Sequence, residues 1–216
     1  MLRREVVAES SGRFLEVLAG IPLDRPITVV MRSTGGQVLA GLDTGEALLP
    51  RPLTVVASSI CASSCANYVF MAADRRVIAP ESILAFHGGM TPGHRLKTER
   101  ELAEARARRR PDPEQLADLE RGRRANLEGA PRQSALLRSV AADPEFFAFF
   151  DTINARPRRT WSPDCAAQPR SAMLVFSDAF LRNRGVAIEN HGPRSAAELR
   201  ALLIQKRNQG LACWWA

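Results

Sequence analysis

A chain of 216 residues, 45% hydrophobic and 25% charged, is long enough to bury one core and too mixed to be fibrous or disordered. Its net charge of +7 permits contact with nucleic acid or a membrane surface but argues for neither, and the arginine-rich stretch Arg106–Arg110 has no interleaved aromatics, so no nucleic-acid partner is expected. The four cysteines, Cys61, Cys65, Cys165 and Cys213, are too few for a disulfide scaffold and lack the C-x-x-C pairs of a zinc site. Cys61 and Cys65 fit either a local disulfide in an oxidising compartment or two small buried thiols in a reducing one.

Taken in order, residues 1–20 place Phe14, Leu15, Val17 and Leu18 in a helical pattern, the first amphipathic helix. The opening "MLRREVVAESSGRF" has no apolar signal-peptide core. The chain as given therefore reads as cytoplasmic, or as periplasmic if a leader precedes it. Ile27–Met31 is a continuous apolar run suited to a parallel strand covered on both faces. Gly35-Gly36 follows, where the backbone turns sharply and another chain can approach closely. Val38, Leu39, Leu42, Ala47 and Leu48 give helical spacing to about residue 49, and Pro50 and Pro52 end that helix. Leu53–Ala57, with three β-branched residues, is the next strand; Ser58-Ser59 is a turn, and a helix is expected from about Cys61 to Ala73. Residues 27–73 thus repeat one unit twice: strand, small-residue turn, helix. A right-handed crossover places both turns at the same C-terminal edge of a parallel sheet, the edge where α/β proteins bind ligands.

The uncharged run from Leu53 to Ala73 has the length of a membrane span, but its serines, Asn67 and the turn argue against insertion. Two short strands follow, 76–79 and 83–87, the second ending on His87. Residues 93–135 form a charged helical insertion, broken by Pro111 and Pro113 and expected as a solvated hairpin projecting from a single domain that spans 1–216. Residues 136–151 regain apolar character as one helix. A connector, 156–170, leads to a short strand, a helix capped near Ser177, a stop at Gly185 and a last strand. Trp214 and Trp215 close the chain as packing or interface residues. No nucleotide-binding loop occurs.

Ser63, Gly35-Gly36 and His87 each have a plain structural role: a cap, a turn, a half-buried histidine. Together they are what acyl transfer requires. A hydroxyl lies at a helix start, an imidazole is placed to take its proton, and backbone N–H groups face the developing oxyanion. Of the three histidines, His94 and His191 lie in polar segments, which leaves His87 as the base.

These stretches carry a family resemblance. "STGGQVLAGLDTGEAL" resembles the S-P-G-G-x-V-x-x-G segment of the Clp-type serine peptidases and their signal-peptide-peptidase relatives, with Thr34 in place of the proline. "CASSCANYVFMAAD" is similar to their nucleophile helix, "DRRVIAPESILAFH" to their run from a basic–apolar strand to the base, and "LVFSDAFLRNRGVAIE" to a late segment. The C-A-S-x-C form resembles a bacterial branch of Clp-like proteins, many of them expected to be exported. The resemblance implies an α/β, crotonase-like ββα superhelix with a parallel sheet, assembled as trimers or rings. It implies peptide-bond hydrolysis with no metal and no organic cofactor; whether an unfoldase partner feeds the site is not in the sequence.

Residue by residue, the resemblance makes Ser63 the nucleophile, in preference to the adjacent Ser64, and His87 the general base. The N–H groups of Gly36 and Ser64 become the oxyanion hole, and Gly35, Gln37 and Val38 an edge that binds an extended peptide. The family's third carboxylate would fall near Met173, where there is none. Asp178 is the candidate in its place, with Asp164 and Asp151 behind it. A catalytically weak or inactive scaffold for peptide binding or assembly is the alternative, ahead of an acyl-CoA enzyme of the same fold or a nucleic-acid-binding protein.

Overall fold

The computed structural model describes residues 5–167 and 173–215, without the Arg158 side chain. The start of the expected first helix (1–4), the end of the expected connector (168–170), the adjoining residues 171–172 and the last residue lie outside the described residues. Strand β2 (Leu53–Ala62) is the spine of the main sheet. Its alternate residues Leu53, Val55 and Ala57 are buried, as the β-branched run at 54–56 favours. On one side β1 (Ile27–Ser33) runs parallel to it, from Ile27 opposite Leu53 to Met31 opposite Ala57. On the other side its first half pairs β3 (Arg75–Ile78) and its second half pairs β4 (Ile83–Ala85), both parallel. The change of partner falls at Ser59, whose φ is 67° and whose N–H donates to Ser82 Oγ at 2.8 Å. Strand β6 (Glu189–Asn190) completes an all-parallel sheet beside β3. The architecture is mixed α/β around a parallel sheet.

The helix expected from Cys61 begins later. Ile60, Cys61 and Ala62 stay extended because β4 offers them partners, so a π-helical segment starts only at Cys65 and ends at Phe70. A second parallel pair, β5 (Met173–Phe176) with β7 (Ala212–Trp215), absorbs both tryptophans. Reciprocal bonds between Phe86 and Leu174 join it to the main sheet, at 2.8 and 2.7 Å. Two disulfides, Cys61–Cys65 and Cys165–Cys213, use all four cysteines.

Helix α1 (Ala8–Ala19) packs on α2 (Val38–Leu48), where Thr44 Oγ1 donates to Ser11 Oγ at 3.0 Å. Helix α2 lies against the π-helical segment at close range, since a Cβ on Gly45 would come within 2.8 Å of the Tyr68 carbonyl oxygen. Helices α3 (Pro92–Arg106) and α4 (Pro113–Ser139) form the charged hairpin. They are antiparallel, as the Asn126–His94 and Arg108–Gln115 bonds require. Each begins on proline at a first helical position, as expected of a residue whose N–H has no helical partner.

The hairpin is less detached than its composition suggests. Helix α4 continues through Pro131 to residue 139, and its second half packs on the core. Arg132 there binds Glu46 at 2.7 Å and also Asp43 on α2. The single helix expected over 136–151 is therefore two pieces: the end of α4, and α5 (Ala148–Asn154) after a turn. Phe146 and Phe147 in that turn are buried with Phe86 and Phe176 in one aromatic cluster. Helices α6 (Pro163–Ala166), α7 (Asp178–Asn183) and α8 (Ala196–Gln205) complete the chain. Among the described residues no helix is long and apolar enough to cross a membrane.

Candidate active site

The parallel register builds the site. Ser33 at the end of β1 lies opposite Cys61 near the end of β2, so the next turn of each strand meets the other. A Cβ on Gly35 would fall 2.3 Å from Ser63 Cβ and 2.8 Å from its Oγ. Gly35 also has φ 101°, a conformation that disfavours a side chain. Any larger residue would displace the hydroxyl.

Ser63 itself is left-handed, with φ 57°. It sits on the corner between β2 and the π-helical segment, half-buried, with its N–H donating to Ala85 O at 3.1 Å and its carbonyl accepting from Asn67 N at 2.7 Å. This is the sharp strand-to-helix corner that lifts a nucleophile clear of its own backbone. The adjacent Ser64 points the other way. It is 1% exposed, its Oγ has no hydrogen-bond partner, and its Cβ faces Gly41 of α2.

His87 follows β4, the strand beside the nucleophile's own. Its Nε2 accepts from the Ser63 hydroxyl at 2.6 Å. Its Nδ1–H donates to the Gly88 carbonyl, also at 2.6 Å. A carbonyl oxygen only accepts, so this contact fixes the proton on Nδ1 and leaves the Nε2 lone pair toward the serine, the tautomer a general base needs. Burial lowers the imidazole pKa below its ordinary value, partly opposed by the Gly88 bond. The base is therefore neutral at pH 7.

The carboxylates proposed from the sequence are elsewhere. Asp178 accepts from Asn190 Nδ2 at 2.7 Å beside β6, and Asp164 accepts from the Trp214 N–H at 2.7 Å. Asp151 accepts from the Thr91 hydroxyl at 2.7 Å and the Gly93 N–H at 2.9 Å. It braces the loop after the base without touching the imidazole. Asp178 is thus corrected as an orienting group: the start of α7 is committed to β6, and the contact at Nδ1 is the Gly88 carbonyl.

The glycine turn is also partly occupied. Val6 N–H donates to Gly35 O at 2.8 Å, and Val6 O accepts from Gln37 N–H at 2.7 Å. The edge expected from Gly35, Gln37 and Val38 is thereby narrowed. Gly35 and Gln37 bond the chain's own Val6, and Val38 already begins α2. A parallel bridge uses the groups flanking Gly36, so the Gly36 N–H and carbonyl face the opposite, exposed edge. The N–H groups of Gly36 and Ser64 make no backbone bond among the described residues. Ser64 adjoins Ser63 itself, and Gly36 adjoins Gly35, where a Cβ would fall 2.8 Å from the Ser63 hydroxyl.

Three residues at the site were not found from the sequence. Asn67 Nδ2 donates to the His87 carbonyl at 3.1 Å. Gln133 Oε1 accepts from Met90 N–H at 2.9 Å and from the Tyr68 hydroxyl at 3.1 Å, tying α4 and the π-helical segment to the base loop. Gly88 supplies the carbonyl on Nδ1. Asn67 did carry a signal, a lone amide inside the apolar run "CANYVFMAA". Gln133 carried none, within a segment dominated by charges.

No family model matches the chain, and no curated protein matches it. Among solved structures it is similar to a ClpP1 mutant from Listeria monocytogenes, at 20% identity and a TM-score of 0.43, over 68% of this chain and 75% of that one.

Proposed function

We propose that the protein is a serine hydrolase acting on peptide bonds, with Ser63 as nucleophile and His87 as general base. The observation that carries this is the 2.6 Å contact from the Ser63 hydroxyl to Nε2 of a histidine whose other nitrogen is tied to a carbonyl. In this reading His87 takes the hydroxyl proton as Ser63 Oγ attacks the scissile carbonyl carbon. The Gly36 and Ser64 N–H groups then receive the oxyanion, and His87 returns its proton to the leaving amine. The peptide substrate class rests on the resemblance of "STGGQV", "CASSC" and the stretch up to His87 to the Clp-type peptidases. An extended substrate would pair with the exposed edge of Gly36, since Val6 holds the other.

The Gly88 carbonyl does part of what an aspartate does. It fixes the ring orientation and the tautomer, but supplies a dipole rather than a full charge to the imidazolium that forms. The activity is accordingly slow compared with an enzyme carrying a complete triad. The same observation supports a second reading, a non-catalytic scaffold of the same architecture that binds peptides.

Labelling by a fluorophosphonate probe decides between them, because it requires a serine activated by its surroundings. Labelling of the wild type, lost in Ser63→Ala, lost in His87→Ala and kept in Ser64→Ala, is the expected pattern. A folded wild type that does not label would give the scaffold reading the better claim.

A further inference from the structure

Ser63 holds a conformation that glycine adopts freely and serine does not. Glycine cannot replace it, because the chemistry needs the hydroxyl. The constraint must come from outside the residue, and the sequence brackets it with two cysteines. Cys61 and Cys65 are joined by a disulfide, with Ala62, Ser63 and Ser64 between them. Both cysteines are fully buried.

We propose that the Cys61–Cys65 disulfide is the positioning element that keeps Ser63 in its reactive conformation; this rests on the serine-hydrolase reading above. The argument is one of reach. Cys61 is fixed in β2, between Ser33 of β1 and Leu84 of β4. Cys65 is the first residue of the π-helical segment. Four residue steps of extended chain span about 13 Å, whereas a disulfide needs Cα atoms no more than about 7 Å apart. Here they are 5.4 Å apart. A straightened corner is therefore incompatible with the bond.

A continuous helix through 61–65 would also bring the two Cα atoms within that range, but the ladder of Ile60–Ala62 with β4 and the Ser63 N–H bond to Ala85 hold the first half extended. Strand on one side and disulfide across the top leave a left-handed corner at Ser63. The second disulfide, Cys165–Cys213, joins α6 to β7 and does not cross the nucleophile turn. It is the natural control.

The test compares fluorophosphonate labelling as a function of probe concentration in four samples. They are the wild type, Cys61→Ala/Cys65→Ala, Cys165→Ala/Cys213→Ala, and wild type reduced with dithiothreitol. In the last, two electrons and two protons open each disulfide to two thiols while dithiothreitol closes to its cyclic disulfide.

The expected result for Cys61→Ala/Cys65→Ala is a maximal labelling rate lower by roughly tenfold. The probe concentration at half-maximal rate and the far-ultraviolet circular dichroism stay those of the wild type. The Cys165→Ala/Cys213→Ala protein melts earlier but labels at the wild-type maximal rate. Reduced wild type labels like the first pair, and reoxidation restores it. A maximal rate in Cys61→Ala/Cys65→Ala equal to that of the wild type overturns the proposal. So does loss of the fold in both that variant and the reduced protein, because the bond would then maintain the core rather than the serine. A folded, oxidised wild type that never labels overturns the hydrolase reading and the proposal with it.

Discussion

The turn that carries Ser63 and the loop that carries His87 meet at 2.6 Å, yet they are held by opposite means. The turn is held largely at short range, by a disulfide between residues four apart and by the Asn67 N–H donating to Ser63 O, with the neighbouring strand β4 fixing its first half. The base loop is held from a distance. Asn67 is 20 residues from His87, Gln133 is 43 residues from Met90, and Asp151 is 60 residues from Thr91. The nucleophile's geometry thus depends on a short stretch of chain and the one strand beside it, and the base's geometry on several distant elements. A substitution far from the site should disturb His87 while leaving Ser63 in place.

The largest expected effects remove the two groups themselves. Ser63→Ala should abolish fluorophosphonate labelling, and His87→Ala should slow it by about 10⁴-fold or more. Retention of labelling in folded Ser63→Ala would show that another group reacts. The comparison is sharpened by Gln133→Ala, which removes the tie from α4 to the base loop at Met90 and to Tyr68 beyond the nucleophile turn. It leaves the buried Tyr68 hydroxyl and Met90 N–H without the acceptor they share, and should destabilise the protein by about 1–3 kcal/mol, measured by urea denaturation. Labelling should fall with it. A variant as stable as the wild type would mean that the loop does not depend on α4.

That division also explains what could be read before the structure was known. The parallel strands, read at 27–31 and 53–57, and the convergence of Gly35 and Ser63 at one sheet edge follow from β-branched runs, a glycine pair and short-range spacing. All of these are local. The hold on His87 is not. Gln133 lies among charges in α4, and only the packing of α4 onto α2, through Arg132 with Asp43 and Glu46, delivers it to Met90. The choice of Asp178, made because no carboxylate falls near Met173, has a different origin. Sequence can offer an acidic side chain, but it does not display a main-chain carbonyl such as that of Gly88. Likewise Cys61 and Ala62 read as the start of a helix because their partner, β4, is more than twenty residues further on.

The acid limb of the labelling rate provides a subtler measurement. Catalysis needs neutral His87, and burial depresses its pKa, so the rate should rise with pH and reach its plateau with a midpoint below the ordinary histidine value of about 6.5. The sign follows from desolvation, which disfavours the charged ring and keeps it neutral to lower pH. Loosening the loop should hydrate the ring. The midpoint in Gln133→Ala is therefore expected to move up toward 6.5, while a midpoint at or above that value in the wild type would contradict a desolvated base.

The smallest effect concerns the other serine. Ser64 Oγ is buried without a hydrogen-bond partner, against Gly41, and a buried hydroxyl in that state costs free energy relative to a methyl group. Ser64→Ala removes the unsatisfied group while keeping the Cβ that fills the space, so it should leave stability unchanged or raise it by up to about 1 kcal/mol. Its N–H, the group proposed for the oxyanion, is untouched by the substitution, so labelling should match the wild type. A destabilised Ser64→Ala would mean that the hydroxyl has a partner after all, and a Ser64→Ala protein that fails to label would place the nucleophile one residue later. Two adjacent serines with opposite fates, one lifted by a left-handed corner and one pressed under a helix, follow from the single backbone conformation of Ser63.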